Sequence, residues 1–186
     1  MVGVIAFLAL ISQVPVEASS APKEVRKHTT VGKDLTSSEA YEMWKANPDK
    51  VKVLDVRTPE EYISVGHPPM AYNVPLLVFG EKSNPGEKAA GLQANPDFEA
   101  KVKRLFASDD TILVICRVGN RSAAAVNKLA KAGFTDLYNI VDGFEGEKIA
   151  DADMRGKGKR VKTGWKNSSA PWTYDLDPKL VYAPTK

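Results

Sequence analysis

Cysteine occurs once in these 186 residues, at Cys116, and histidine twice, at His28 and His67. A disulfide framework is therefore excluded, and the usual ligand spacings of zinc or iron–sulfur sites are not met. No carboxylate spacing points to an ion site, so the sequence implies neither a metal nor a cofactor. Charge of one sign is equally scarce. The 26 Lys and Arg against 23 Asp and Glu leave a net charge of +3, too mild to argue for a nucleic-acid partner. Long apolar runs are missing as well. The apolar start, "VGVIAFLALI" at Val2 to Ile11, falls far short of the roughly 20 residues that a membrane-spanning helix needs, so no stable span is expected. No internal repeat is visible.

What is present is the composition of a folding chain, 43% apolar and 26% charged. Its length suits one domain plus additional segments. The apolar start suits the core of a secretion signal, with Val16 and Ala18 placed as a signal peptidase reads them and Ser19 as the first mature residue. It lacks the usual basic beginning, since nothing charged precedes Glu17. We expect residues 1–18 to be a signal peptide and the protein to be periplasmic or secreted. Residues 19–27 then form a polar leader, 28–175 the domain and 176–186 a C-terminal tail. In an oxidising compartment cysteines usually come in pairs. A solitary one is either an inert small hydrophobe or a working thiol.

Along the chain, a short strand is expected at His28 to Gly32. Thr36-Ser37-Ser38-Glu39 is a capping box that starts a helix running to about Ala46, before Asn47-Pro48. "VKVLDV", Val51 to Val56, reads as a buried strand. Thr58-Pro59-Glu60-Glu61 repeats the logic, with Thr58 as N-cap, Pro59 first in the helix and Glu61 at N3. That helix ends by Gly66, and "AYNVP" follows as a strand. Leu76 to Asn95, rich in Gly, Pro, Asn and Lys, reads as a long surface loop. Asn95-Pro96-Asp97 opens a helix with Phe98, Val102, Leu105 and Phe106 on one face. Then come the strand "TILVIC", a loop, and a helix from Ser122 to Ala132 closed by Gly133, with Phe134 against Leu129. The last strand, "LYNIV", reaches Asp142-Gly143. This alternation of helices with continuously apolar strands predicts an α/β fold. Its sheet is mainly parallel, of about five strands, with helices on both faces.

In such sheets ligands bind outside the carboxyl ends of the strands, where Cys116 lies. Cys116-Arg117-Val118-Gly119-Asn120-Arg121 joins that strand to the next helix. The loop and first-turn N–H groups have no intrahelical partners. Curled over the cysteine, they point at its sulfur. The helix N-terminus adds roughly half a positive charge, and the two arginines add full ones. Gly119 permits a close approach or a positive φ. An ordinary thiol is only a few per cent ionised at neutral pH; helix N-termini and nearby cations favour the thiolate. The pattern predicts an anionic sulfur open to a small anionic donor. Cys116 is its catalytic residue, and Arg117, Val118, Gly119, Asn120, Arg121 and Ser122 form the binding loop. The opposing reading is a cysteine that merely packs at the end of a strand.

These residues make the sequence resemble the rhodanese family of sulfurtransferases, whose active-site loop commonly reads C-R-x-G-x-R. "VLDVRTPEEYISVGHPPMAYNVPL" is similar to the family's first signature, and "GFTDLYNIVDGF" to its closing one. The likeness runs from about residue 28 to 145. "GW…APW", Gly164 to Trp172, matches the family's usual ending loosely, displaced by an insert at about 146–163. That insert holds the basic run "RGKGKRVK", Arg155 to Lys162, which we read as a solvated loop. Trp165, Trp172 and Tyr174 are expected to wrap over the core.

The resemblance implies a two-step sulfur transfer. Cys116 takes the outer sulfur of thiosulfate or another sulfane donor as a persulfide, and cyanide or a thiol then removes it. A protein sulfur acceptor is the further partner this reading admits. It also implies Asp55 and Arg57 as ion-pair support for the loop, against the plainer reading of a strand-end salt bridge. Glu61 is either a helix cap or a charge partner, and His67 resembles the family's structural Gly-His turn. Pro68-Pro69-Met70 and apolar Val118 depart from the pattern and bear on donor identity. A relay module that hands persulfide to a partner protein, and an inactive recognition domain, are the other readings; the intact cysteine weakens the last. Related phosphatases and arsenate reductases have a loop one residue longer. Here Arg121 stands five positions after Cys116, which suits a sulfur atom better than a tetrahedral oxyanion.

Overall fold

The computed structural model describes residues 24–31, 33–80, 91–150 and 156–184. The expected signal peptide, most of the polar leader, the middle of the 76–95 segment and Arg155 of the basic run lie outside the described residues. In chain order the elements are β1 (Asp34–Leu35), α1 (Ser37–Ala46), β2 (Val51–Asp55), α2 (Pro59–Val65), β3 (Ala71–Asn73), the pair β4 (Leu77–Phe79) and β5 (Leu92–Ala94), α3 (Phe98–Leu105), β6 (Thr111–Ile115), α4 (Asn120–Lys131) and β7 (Leu137–Ile140).

Both capping boxes form. Thr36 Oγ1 accepts from the Glu39 N–H at 3.3 Å, and Glu39 accepts from the Thr36 N–H at 2.7 Å, which starts α1. Thr58 and Glu61 exchange the same pair of bonds at 3.3 and 3.1 Å, with Pro59 opening α2. Each box satisfies two of the N–H groups that a helix start leaves free.

The main sheet has the order β1-β7-β6-β2-β3, and every neighbouring pair is parallel. Alternation along the strands sends Leu54, Val114 and Leu137 to one face, against Phe98, Val126 and Leu129 of α3 and α4. Val53, Leu113, Ile115 and Ile140 face the other side, with Tyr62, Phe144 and Trp165. Both faces are covered, which is why the strands read as unbroken apolar runs. The fold is the α/β architecture expected.

Several local expectations are corrected. The strand expected at His28 to Gly32 does not form over its described residues, 28–31, and Gly32 lies outside the described residues. The Thr30 N–H donates to the Asn127 side chain at 2.6 Å, and Asn127 Nδ2 donates to the His28 carbonyl at 3.2 Å, so α4 takes the bonds a strand partner would. The first strand instead pairs Asp34 with Asn139. The 76–95 segment is more than a loop, because its two ends pair as antiparallel β4 and β5. In α3, Phe98, Val102 and Phe106 are buried, whereas Leu105 is 42% exposed. It lies at the rim of a shallow cavity beside Leu180 to Ala183. Helix α4 begins at Asn120 rather than Ser122, because Gly119 adopts φ +96° as its N-cap and accepts the Ala123 N–H at 3.2 Å.

Two glycines with positive φ play unequal parts. Gly133 (φ +98°) ends α4: the Phe134 N–H bonds the Leu129 carbonyl at 3.1 Å and the Gly133 N–H bonds that of Ala130 at 3.2 Å. A Cβ there would meet nothing within 4 Å. Gly143 (φ +63°) follows β7, and a Cβ there would lie 2.6 Å from backbone atoms of Cys116, Arg117 and Val118. Gly133→Ala should therefore cost about 1–2 kcal/mol, the backbone strain alone. Gly143→Ala should cost distinctly more, because it also pushes against backbone. Urea denaturation of the two variants checks this; equal losses would show that Gly143 carries no packing role.

Candidate active site

Cys116 follows β6, the middle strand of the sheet, and the chain from Arg117 to Gly119 turns over it into α4. The Gly119 N–H donates to Cys116 Sγ at 3.2 Å, and Ser122 Oγ lies 3.4 Å from the same sulfur. These two groups, rather than a ring of amides, are its close polar neighbours. Cys116 is 1% exposed. The sulfur thus lies beneath its loop and is not open to solvent as the sequence reading expected. Its cover is the loop itself, in which Arg117 is exposed and Val118 and Asn120 are half-buried.

The loop is held from below by the turn after β7. The Phe144 N–H donates to the Cys116 carbonyl at 2.7 Å and the Glu145 N–H to that of Arg117 at 3.0 Å. Gly143 permits this approach, and its carbonyl accepts the Trp165 N–H at 2.8 Å. Asp142 accepts from the Ser37 N–H at 2.8 Å and from the Gly164 N–H at 2.8 Å, fixing the same turn to α1 and to the C-terminal segment. On the α4 side, Ser122 Oγ sits 2.7 Å from Asn139 Oδ1 and 3.0 Å from the Gly119 carbonyl. Gly143, Phe144, Glu145 and Asn139 were not singled out as site residues from the sequence. The Asp-Gly pair at 142–143 was the one available signal, a turn that had to sit beside another segment.

The loop arginines do not face the sulfur as bare charges. Arg121 makes a two-pronged pair with Glu61, at 2.6 and 2.7 Å. Arg117 pairs with Glu145 at 3.1 Å. Glu61 therefore serves both readings given to it, since the oxygen that takes the Thr58 N–H also takes Arg121. Burial by itself would push the Glu61 carboxyl up; the Arg121 guanidinium outweighs this and holds it below the usual carboxylate value. Burial likewise opposes the charge on Arg121, but Glu61, with smaller help from Cys116 and Asp55, holds its proton more tightly than usual.

Asp55 and Arg57 are both fully buried. Arg57 donates to Asp55 at 2.6 Å and 3.0 Å and to the Gly66 carbonyl at 2.8 Å. Its guanidinium lies 4.2 Å from the centre of the Phe144 ring, so it touches the residue that anchors Cys116 and not the loop directly. His67 stacks on Tyr62 at 3.7 Å between ring centres, with its ring nitrogens 3.0 Å and 3.1 Å from the Tyr62 and Asp175 carbonyls. It is a buried packing residue on the side of the sheet that holds Tyr62 and Phe144. The described lysines of the basic run, Lys157, Lys159 and Lys162, are exposed as expected, and Arg160 is the exception. Arg160 is mostly buried, donating to the Gly146 carbonyl and lying 4.0 Å from Glu145, the partner of Arg117. Trp165 is buried in the core, whereas Trp172 and Tyr174 remain 37% and 54% exposed.

The Glu61–Arg121 pair predicts an acid sensitivity. A carboxyl held low in the folded state contributes stability that is complete above the unfolded value, about 4.3, and disappears as pH falls through the folded value. Glu61→Gln keeps an oxygen for the Thr58 cap but loses the charge. Its unfolding midpoint should be lower than the parent's at neutral pH and converge with it in acid. A gap independent of pH would show that the pair is not the source.

The profile of the Rhodanese-like domain family matches residues 36–149. Thiosulfate sulfurtransferase 16, chloroplastic, of Arabidopsis thaliana is 43% identical over 93 residues, 50% of this chain and 70% of that protein. An uncharacterized protein of Rickettsia prowazekii is 32% identical over 143 residues, covering 76% of this chain and 97% of its own length. The crystal structure of Rv0390 from M. tuberculosis aligns with a TM-score of 0.61 at 29% identity, covering 76% of this chain and 97% of that one. Among the described residues no helix is long and apolar enough to cross a membrane. The matched stretch contains the parallel sheet from β2 to β7 and the cysteine loop at its carboxyl edge, and the chain belongs to the rhodanese-like family.

Proposed function

We propose that the protein transfers sulfane sulfur, from thiosulfate or a similar donor to a thiophilic acceptor, through a persulfide on Cys116. The observation that carries this reading is the sulfur's own setting. Its close polar neighbours are an N–H and a hydroxyl, both able to donate to a sulfur anion and to the terminal sulfur of a persulfide. An inert packed cysteine needs neither.

The Cys116 thiolate attacks the outer sulfur of thiosulfate. A new S–S bond forms, the old one breaks, and its electron pair leaves with sulfite. Cyanide or a thiolate then attacks the terminal sulfur, and the electron pair of the Cys116–sulfur bond returns to Cys116. With cyanide as acceptor this second attack yields thiocyanate, and no external oxidant or reductant enters either step. The narrow loop supports a donor that presents one sulfur atom at a time. The sulfonate end of thiosulfate then stays at the rim, where half-exposed Arg117 can exchange Glu145 for the anion. The Glu61 pairing keeps Arg121 fixed at the start of α4, so its charge reaches the sulfur without a contact that would block it.

Incubation with thiosulfate and cyanide should release thiocyanate, and the protein treated with thiosulfate alone should gain the mass of one sulfur atom. Cys116→Ala should abolish both. Persulfide formation without thiocyanate would instead favour the relay reading, in which a partner protein accepts the sulfur. No mass gain and no turnover would overturn the proposal.

A further inference from the structure

Behind Ser122 a polar chain continues away from the sulfur across the sheet. Ser122 Oγ is 2.7 Å from Asn139 Oδ1 on β7; Asn139 Nδ2 donates to Asp34 Oδ1 on β1 at 2.9 Å and to the Lys27 carbonyl at 3.3 Å. Ser122, Asn139 and Asp34 are all buried. Asp34 and Asn139 sit opposite each other in the β1–β7 register, so the contact is built into the strand pairing.

The chemistry of this chain is directional. The carboxylate of Asp34 and the carbonyl of Lys27 accept and cannot donate, which compels Asn139 to turn its NH₂ toward them and its oxygen toward Ser122. The serine hydroxyl has one proton and three neighbours that can take it: the Gly119 carbonyl, Asn139 Oδ1 and Cys116 Sγ. Asn139 Oδ1 is the closest. While the proton points there, the serine offers the sulfur only lone pairs, which suits a neutral thiol. To stabilise an anionic sulfur the proton must turn, leaving a buried amide oxygen without its partner.

We propose that Asp34 and Asn139 are positioning residues that set the direction of the Ser122 hydroxyl and so restrain ionisation of Cys116. The inference deepens the sulfur-transfer reading by naming what tunes the same sulfur. The other charges around the site reach it by different routes. Arg121 acts on the sulfur through space and Asp55 acts on Arg121; Arg57 is engaged with Asp55; Lys27 bonds the Val141 carbonyl through its ammonium group; and His28 acts on Asp34. None of these side chains bonds the Ser122 hydroxyl.

Asp34→Asn replaces the closer of the two obligate acceptors, at 2.9 Å against 3.3 Å for the Lys27 carbonyl, with a group of the same shape that can also donate. The Asn139 amide can then reverse, donate to Ser122 and free the serine proton for the sulfur. Because Cys116 is the only cysteine, thiolate absorbance titrated against pH, with a Cys116→Ser control subtracted, reports this sulfur alone. The midpoint should fall by about one pH unit in Asp34→Asn, a tenfold shift in ionisation. The same change made in a Ser122→Ala background should move it little, since the route runs through the hydroxyl. Equal shifts in both backgrounds would mean a through-space charge effect and would overturn the proposal, as would no shift at all. Should Asp34→Asn not fold, judged by near-ultraviolet circular dichroism, Asn139→Ala removes the competing oxygen and carries the same paired expectation. Absorbance needs no turnover, so the coupling can hold even if thiocyanate is never formed. In that case the sulfur-transfer reading fails and this one stands.

Discussion

The Phe144 N–H to Cys116 carbonyl bond, at 2.7 Å, is the contact on which the site depends. It joins the end of the middle strand to the turn after β7, and the Glu145–Arg117 bond extends it by one residue. The pairing is possible because Gly143 has no side chain to separate the two backbones. Asp142 then ties the same turn to the start of α1 and to Gly164. Four stretches remote in sequence thus meet under one loop. The loop's shape is a property of the whole sheet edge, since its carbonyls would otherwise turn to water or to each other.

Charge around this platform is organised in pairs. Asp55 and Arg57 form a fully buried pair whose second role is the contact with the Phe144 ring. Taking both ions out of water is expensive, and such a pair is better evidence of a fixed geometry than of added stability. Glu61 and Glu145 each hold one loop arginine, and Arg160 of the insert joins Glu145. The carboxylates keep the guanidiniums at the rim. The sulfur is left facing the Gly119 N–H and the Ser122 hydroxyl in a dry setting, where a hydrogen bond acts more strongly than it would in water.

The insert and the C-terminal segment complete the domain. Trp165 fills the core on the α2 side of the sheet, and the Asn73 N–H of the edge strand donates to Leu180 at 2.7 Å. That bond caps an edge which would otherwise present unpaired backbone groups. Arg160 packs against Glu145 and Gly146, so part of the basic run belongs to the surroundings of the loop. Composition could not reveal this, because a cation's partner is set by which backbone segment folds beside it.

The elements with local causes were legible. Thr36/Glu39 and Thr58/Glu61 dictate two helix starts through bonds spanning three residues, and the apolar strands announce their burial on both faces. Cys116 before a glycine-containing loop marked the site for the same reason, since strand, loop and helix start are contiguous. What lay beyond reach depended on register and on through-space contact. The strand at Asp34 exists because it pairs with Asn139, whereas His28 to Thr30 is claimed by Asn127. Whether the loop arginines faced the sulfur or two carboxylates was a matter of where Glu61 and Glu145 come to rest. The sequence by itself therefore determined the parallel α/β order and the position of the sulfur, because those rest on neighbours along the chain. Only the tertiary structure decided that the sulfur is covered, which amide reaches it and what lies behind Ser122, because those rest on strands brought together across the sheet.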